Sequence, residues 1–572
     1  MTEQPPPAPL LSVEDLTVDF GAPHVAVKAV RGVSFAVNVG EIVGIVGESG
    51  SGKSVTCRAV LGLLPWMARV GGRVSFDGRD LLQLSEAEMR RVRGRHISMI
   101  FQNPSSHLDP LMTIGRHVAE PLRMHFGYGA ARARDAAIQM LRDVRIRDPE
   151  LRVDSHPHEL SGGMKQRAMI ASAIACEPRL LLADEPTTAL DVTVQARILE
   201  LLKDLNRQRG LSIVLISHDL GVIAEICDRV VVMRNGVVVE QGPTREIINV
   251  PSHAYTRLLI DSQPSRLSQQ HGKTARPAAV ATTSEPLLAV DDLSVEFASA
   301  RGLLGLLRGS EKASVKAVDA VSFDVRRGES FGIVGESGSG KSTIARAITR
   351  LIDPSGGRIT FRGASVHDLK GETLSAYRRA VQMVFQSPYD ALNPRMTVEE
   401  TIAEPMIRHR LADRSGARKR TAALMAMVEL PAELAGRRPR QLSGGQCQRV
   451  SIARALALSP EVLIADEITS ALDVTIQAQI LSLLRRLRET QGLTTLYISH
   501  DLAVVRMFCD RVAVFRSGQL VEIGAVEEVL ARPRHDYTRR LIASAPRLEA
   551  ATASEEGARD MDTGSAWKGS HG

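Results

Sequence analysis

Two stretches of this chain, "GESGSGKS" at 47–54 and again at 335–342, space glycines, one lysine and one hydroxyl in a way that suits phosphate chemistry. Glycines let successive backbone N–H groups turn toward one anion, and a helix starting at the lysine adds its N-terminal dipole. On this reading Gly47, Glu48, Ser49, Gly50, Ser51, Gly52, Lys53 and Ser54 cradle one set of phosphates. Gly335, Glu336, Ser337, Gly338, Ser339, Gly340, Lys341 and Ser342 cradle a second. Lys53 and Lys341 neutralise phosphate charge, and the Ser54 and Ser342 hydroxyls are oxygen ligands for Mg²⁺. Asp184 and Asp466 each end an apolar run, "LLAD" and "LIAD", and suit a metal-holding carboxylate. The next residues, Glu185 and Glu467, are placed to polarise an attacking water. Gln102 and Gln386 offer neutral amides to the same metal and water. His218 and His500 each follow their glutamate by 33 residues and can hydrogen-bond a terminal phosphate. A lone histidine is more often a structural residue; the repeated spacing favours the functional reading.

Every one of these phrases occurs twice, in the same order. The offsets between copies are 288 for the glycine loop, 284 for "FQNP" and "FQSP", and 282 for "LSGG", the Asp-Glu pair and "ISHDL", so the chain is a tandem duplication. A length of 572 residues exceeds one ordinary core, and 44% hydrophobic with 24% charged residues is a globular composition. The apolar runs are far shorter than the ~20 residues a membrane-spanning helix needs. The N-terminus lacks a basic segment followed by an apolar one, so a cytoplasmic chain is expected. The five cysteines form no C-x-x-C pair, which argues against metal clusters and disulfides.

These residues need elements to hold them. "EIVGIVG" feeds the first glycine loop, "RLLLAD" ends at Asp184 and "SIVLISH" ends at His218, which are the unbroken apolar strands of a parallel sheet buried on both faces. Ligands of such sheets bind at the carboxyl ends of the strands, so the three motifs converge on one edge. Residues 264–286, rich in Ser, Thr, Ala, Pro and Gln, read as a flexible linker, and 549–572 as a disordered tail.

"LSGG" adds a different anion site, in which Ser161, Gly162 and Gly163, or Ser443, Gly444 and Gly445, start a helix whose free N–H groups attract phosphate. With "ALD" ending at Asp191 and Asp473, the ordered set of motifs in each half resembles an ATP-binding cassette ATPase over about 11–262 and 288–544. The resemblance implies an α/β fold of two P-loop NTPase cassettes in tandem. Each has a mainly parallel sheet core, an antiparallel β portion and an inserted helical subdomain, about 103–160 and 387–442. It implies ATP and Mg²⁺ as ligands and an intramolecular head-to-tail cassette dimer. Lys53 and Glu185 would then work with Ser443, and Lys341 and Glu467 with Ser161. The family also places an aromatic against adenine, a role that falls on Phe20 and Phe297, although an aromatic at a strand end is more often core.

"SHAYTRLLIDSQP" (252–264) and "RHDYTRRLIASAP" (534–546) resemble the C-terminal extension of oligopeptide, dipeptide and nickel importer ATPases, with Ala254 and Asp536 in place of the usual proline. Residues 301–318 resemble an insert of the second ATPase of such pairs, and the cysteine-rich stretch that holds an iron-sulfur cluster in some relatives is missing, so no cluster is expected. This implies two integral-membrane permease subunits, an extracytoplasmic solute-binding protein, and a place on the cytoplasmic face of a bacterial inner membrane. The competing class is a soluble tandem-cassette ATPase acting on ribosomes or nucleic acid, which a net charge of +7 favours slightly. Only 3% aromatic residues leave few stacking platforms for RNA, so no nucleic acid partner is expected.

Smaller features carry two readings. His156, His158 and Glu159 are either a metal cluster or, in the favoured reading, part of the lead-in to LSGG. Cys57 and Cys447 sit early in helices, where a helix N-terminus lowers a thiol pKa, or, in the favoured reading, are inert packing. Ile468 replaces the Pro186 of the first half beside the glutamate and either makes the two sites unequal or changes only loop rigidity.

Overall fold

The computed structural model describes residues 8–21, 26–188, 190–264, 266, 285–298, 314–470 and 472–545. Most of the linker read at 264–286, residues 301–313, and the tail from 549 lie outside the described residues. The chain divides into two compact units, with the main division of the sequence between Asp261 and Ser262.

In the first unit a six-stranded sheet runs in the order Val237–Pro243, Arg229–Arg234, Ile42–Val46, Ser212–Ile216, Leu180–Asp184, Ile97–Ile100. All neighbours are parallel except the edge pair Val237–Pro243 and Arg229–Arg234. The reason is visible in the Leu180–Asp184 strand, whose residues are all buried. Leu180 and Leu182 face one core while Leu181 and Ala183 face the other, so a polar residue has no face on which to sit. Each leucine buried this way contributes roughly 1.5–3 kcal/mol. One core lies under helices Ile114–Phe126, Ala130–Asp143, Gly162–Ile174 and Val192–Arg209. The other lies under helix Lys53–Val60 and a four-stranded antiparallel sheet in the order Val27–Val37, Leu11–Phe20, Ala68–Phe76, Arg79–Asp80.

The second unit repeats this plan. Its six strands run Val381–Val384, Val462–Asp466, Thr494–Ser499, Ser330–Gly335, Arg511–Arg516, Gln519–Ala525, again antiparallel only at the last pair. Val462 and Ile464 point into one core, and Leu463 and Ala465 into the other. Its antiparallel sheet is Ser314–Val325, Leu288–Ala298, Gly356–Phe361, Ala364–Ser365. Among the described residues no helix is long and apolar enough to cross a membrane.

Candidate active site

The central strand of each sheet delivers the glycine loop. Gly47 has φ 150°, and a Cβ there would lie 2.1 Å from the Met233 carbonyl oxygen; Gly335 has φ 153° and 2.2 Å to that of Phe515. Only glycine fits so close a backbone crossing. The helices then start at the lysines themselves, Lys53–Val60 and Lys341–Ile348, so their first N–H groups face the loop. Lys53 Nζ donates to the carbonyls of Gly47 (2.7 Å) and Glu48 (2.9 Å). Lys341 repeats this with Gly335 (2.9 Å) and Glu336 (2.8 Å). Burial lowers the Lys341 pKa against the opposing pull of Glu467 and Asp466.

Register brings the remaining groups to the same strand ends. Asp184 pairs with Ile216, and Ile45 pairs with Ile216 from the other side, so three adjacent parallel strands end together. Ser54 Oγ donates to Asp184 Oδ1 at 2.7 Å, and Ser342 to Asp466 at 3.0 Å. Glu185 and Glu467 both sit at φ 48°, their N–H groups donating to the carbonyls of Ile216 (3.1 Å) and Ile498 (3.0 Å). That turn aims each carboxylate at its glutamine and histidine. Gln102 Nε2 donates to Glu185 Oε2 at 2.8 Å and Gln386 Nε2 to Glu467 Oε2 at 2.7 Å. His218 and His500 Nδ1 each lie 3.5 Å from their glutamate. Burial pushes Glu185 up, but His218, the Thr188 hydroxyl and Lys53 together outweigh it and hold the carboxyl down at about 2. In the second site burial likewise opposes, and His500 and Lys341 overcome it to lower Glu467.

The site suits a magnesium nucleotide. Asp184 is 1% exposed, one of its oxygens is taken by Ser54, and the other, Oδ2, has no hydrogen-bond partner. Burial and the charge of Glu185 raise its pKa, so a hard cation would relieve a carboxylate that nothing else fully satisfies. Beside it, Gly50 and Gly52 adopt φ 78° and 99°, and a Cβ at Gly50 would meet only open space, as a concave anion cradle requires.

The LSGG serines start their helices: Ser161 Oγ accepts the Met164 N–H at 3.4 Å and Ser443 Oγ that of Gln446 at 3.3 Å. Gly163 and Gly445 allow the helix to press on Val194 and Ile476, which a Cβ would meet at 2.7 and 2.6 Å. Phe20 ends its strand partly buried, whereas Phe297 is 47% exposed. Glu159 Oε2 accepts the His156 N–H at 2.5 Å, closing a turn that leads into LSGG. Of the two readings of Cys57 and Cys447, the structure fits inert packing: both thiols are buried. Burial pushes Cys447 up to about 11 and Cys57 further still, because desolvation of a thiolate outweighs the helix dipole. Ile468 is 1% exposed and packed in the core of the second unit. Next to it the Thr469 hydroxyl is 3.0 Å from that of Tyr497, which stands where the first unit has Leu215.

Two groups escaped the sequence reading. Thr188 Oγ1 donates to Glu185 Oε2 at 2.8 Å, while its counterpart Ser470 donates to the backbone carbonyl of Glu467. Tyr255 and Tyr537 reach the glycine loops from the C-terminal extensions. Their signal was the recurring "YTR" at the same offset of 282 as the other motifs.

Fold and site together define two P-loop nucleotide-hydrolysing cassettes. The ABC transporter family model matches residues 30–188 and 318–470, and the chain belongs to that family. The model of the oligopeptide/dipeptide transporter C-terminal region matches 239–286 and 521–565. The peptidoglycan transport ATP-binding protein YejF of Agrobacterium fabrum is 45% identical over 545 residues, covering 95% of this chain and 97% of its own. The glutathione import ATP-binding protein GsiA of Escherichia coli K12 is 44% identical over 567 residues, covering 94% and 90%. A dimeric structure of the cassette MJ0796 bound to ADP and Pi aligns with 42% of this chain and 98% of its own at 31% identity, with a TM-score of 0.37. Membership makes this chain an ATP-binding, ATP-hydrolysing subunit that acts with membrane permeases.

Proposed function

We propose that the chain is the energy-coupling ATPase of an importer for di- or oligopeptides or a related small substrate. It would sit at the cytoplasmic face of a bacterial inner membrane, held there by two permease subunits, with an extracytoplasmic solute-binding protein delivering cargo. The observation that carries this reading is the importer-type C-terminal region, which follows both cassettes rather than one. The names of the relatives, transport of peptidoglycan and import of glutathione, support a peptide-like cargo and favour transport over the ribosome or nucleic acid alternative. A groove of about 580 Å³ on the helical layer of the first unit, lined by Met112, Arg116, Glu120, Met124 and Tyr128 among others, supports a permease contact there.

In the mechanism we infer, Lys53 and Lys341 hold the β- and γ-phosphates on the N–H groups of their loops, with Ser54, Gln102 and Asp184, or Ser342, Gln386 and Asp466, around Mg²⁺. The bound cation supplies charge neutralisation at the phosphates. Glu185 and Glu467 orient the attacking water. A carboxylate held at about 2 is a weak base. When His218 turns from Glu185 toward the terminal phosphate, burial is less opposed and the glutamate becomes a better proton acceptor. Phe20 and Phe297 would flank adenine.

The test is affinity isolation of the tagged chain from solubilised membranes, with mass spectrometry and ATPase assay of the eluate. Two permeases, with turnover that rises on adding a binding protein and peptide, are expected; ribosomal proteins without a permease would overturn the importer reading.

A further inference from the structure

The residue after the first glycine of each loop is held from two sides. The Glu48 carbonyl accepts the Lys53 ammonium at 2.9 Å and the Ser51 N–H at 3.1 Å. Its own N–H donates to the hydroxyl of Tyr255 at 3.1 Å. In the second unit the Glu336 carbonyl accepts Lys341 at 2.8 Å and the Ser339 N–H at 3.1 Å, and its N–H donates to Tyr537 at 3.1 Å. The two tyrosines are 2% and 3% exposed, so neither hydroxyl arrives by chance of surface motion.

Each tyrosine is itself anchored. It opens a short helix, Ala254–Asp261 or Asp536–Ala543, and its N–H donates to Nδ1 of the histidine two residues earlier at 3.1 Å in both units. The approach to that histidine is tied to the sheet edge. Glu240 accepts the N–H groups of Ser252 (2.7 Å) and His253 (3.2 Å), and Glu522 those of Arg534 (2.8 Å) and His535 (3.1 Å). The Arg234 and Arg516 guanidinium carbons lie 4.7 and 5.3 Å from the ring centroids. The shared "H-x-Y" of the extensions thus has a physical content: the histidine caps the helix, and the tyrosine reaches back to the phosphate loop.

We propose that Tyr255 and Tyr537 make the C-terminal extension part of each ATP site, as positioning residues that fix the first peptide of the glycine loop and the lysine resting on it. Removing the hydroxyl takes an acceptor from a part-buried N–H and loosens that peptide, which disorders the anion cradle before nucleotide arrives. The restraint acts on ground state and transition state alike, so its loss weakens nucleotide binding without slowing the bound enzyme.

This inference rests on the glycine loops as the ATP sites, so the test separates the two. In the full-length chain, Tyr255→Phe and Tyr537→Phe, singly and together, keep the rings and delete only the hydroxyls. The affinity for trinitrophenyl-ATP and the KM and kcat for ATP are measured beside Lys53→Ala with Lys341→Ala. The expected result is a threefold to tenfold rise in Kd and KM for the double tyrosine variant with kcat within twofold, on the order of one lost hydrogen bond. Should the double variant fail to fold, each single variant still carries the comparison, because the other cassette is intact. Unchanged Kd and KM, or a fall in kcat alone, overturns the positioning role while the lysine variant still loses binding. Full binding by the lysine variant would instead overturn the ATP-site reading, and the tyrosine proposal with it.

Discussion

The pairing of His500 with Glu467 makes a quantitative prediction. Its Nδ1 stands 3.5 Å from a carboxylate that is only 16% exposed, the same separation as in the first site. A hydrogen bond to a charged group contributes about 1.5–3 kcal/mol, so His500→Ala is expected to cost the second unit about that much, which for a unit of this size is roughly 3–12 °C in Tm. The pH dependence identifies the cause. Glu467 is depressed, so its contribution is present above 4.5 and lost as pH falls through the lowered value. For His500 burial lowers the pKa but Glu467 more than restores it, so the net is a rise; its contribution is full below 6.5 and lost as pH climbs through the raised value. Both conditions hold between 4.5 and 6.5. Scanning calorimetry of wild type and His500→Ala is expected to show the largest Tm deficit near pH 5.5 and a smaller one near pH 9. Lost packing alone is indifferent to pH, so an equal or larger deficit at pH 9 would refute the ion-pair reasoning.

Glu185→Gln and Glu467→Gln are each expected to lower ATP turnover to the same residual level within twofold, and together to lower it about a hundredfold or more; steady-state assays that separate the singles further would show that Ile468 and Ser470 make the second site unequal. Gly47→Ala and Gly335→Ala place a methyl against a backbone carbonyl at 2.1 and 2.2 Å, so nucleotide binding measured by trinitrophenyl-ATP fluorescence is expected to vanish at the altered loop. Cys57 and Cys447, 1% and 0% exposed with thiols pushed upward by burial, are expected to resist maleimide at neutral pH until denaturant is added. Stoichiometric labelling of either in the native chain within minutes, seen by mass spectrometry, would contradict that.

What could be read from the amino acids was what local backbone chemistry dictates. Apolar runs such as "RLLLAD" left no polar face and so had to lie inside a two-faced sheet, and that placement carries Lys53, Asp184 and His218 to neighbouring strand ends. The cysteines were less legible because two effects of opposite sign act on the thiol, and the larger, desolvation, depends on what the rest of the chain stacks over it. Tyr255 was hidden for another reason: its partner is a backbone N–H 207 residues away, and a backbone group leaves no side-chain signature to search for. Thr188 shows a third limit, since Thr and Ser at equivalent positions chose different acceptors on Glu185 and Glu467.

Glu185 and Glu467 both occupy the left-handed region at φ 48°, where an L-residue with a Cβ carries a strain of about 1–2 kcal/mol. Glycine or asparagine would sit there more comfortably, yet neither carries a carboxylate. Selection for folding and selection for turnover thus pull these two codons in opposite directions. A library of this chain screened only for thermal robustness should drift away from glutamate at both positions, and one screened for uptake should hold it, so the two positions would report which pressure a natural lineage has felt.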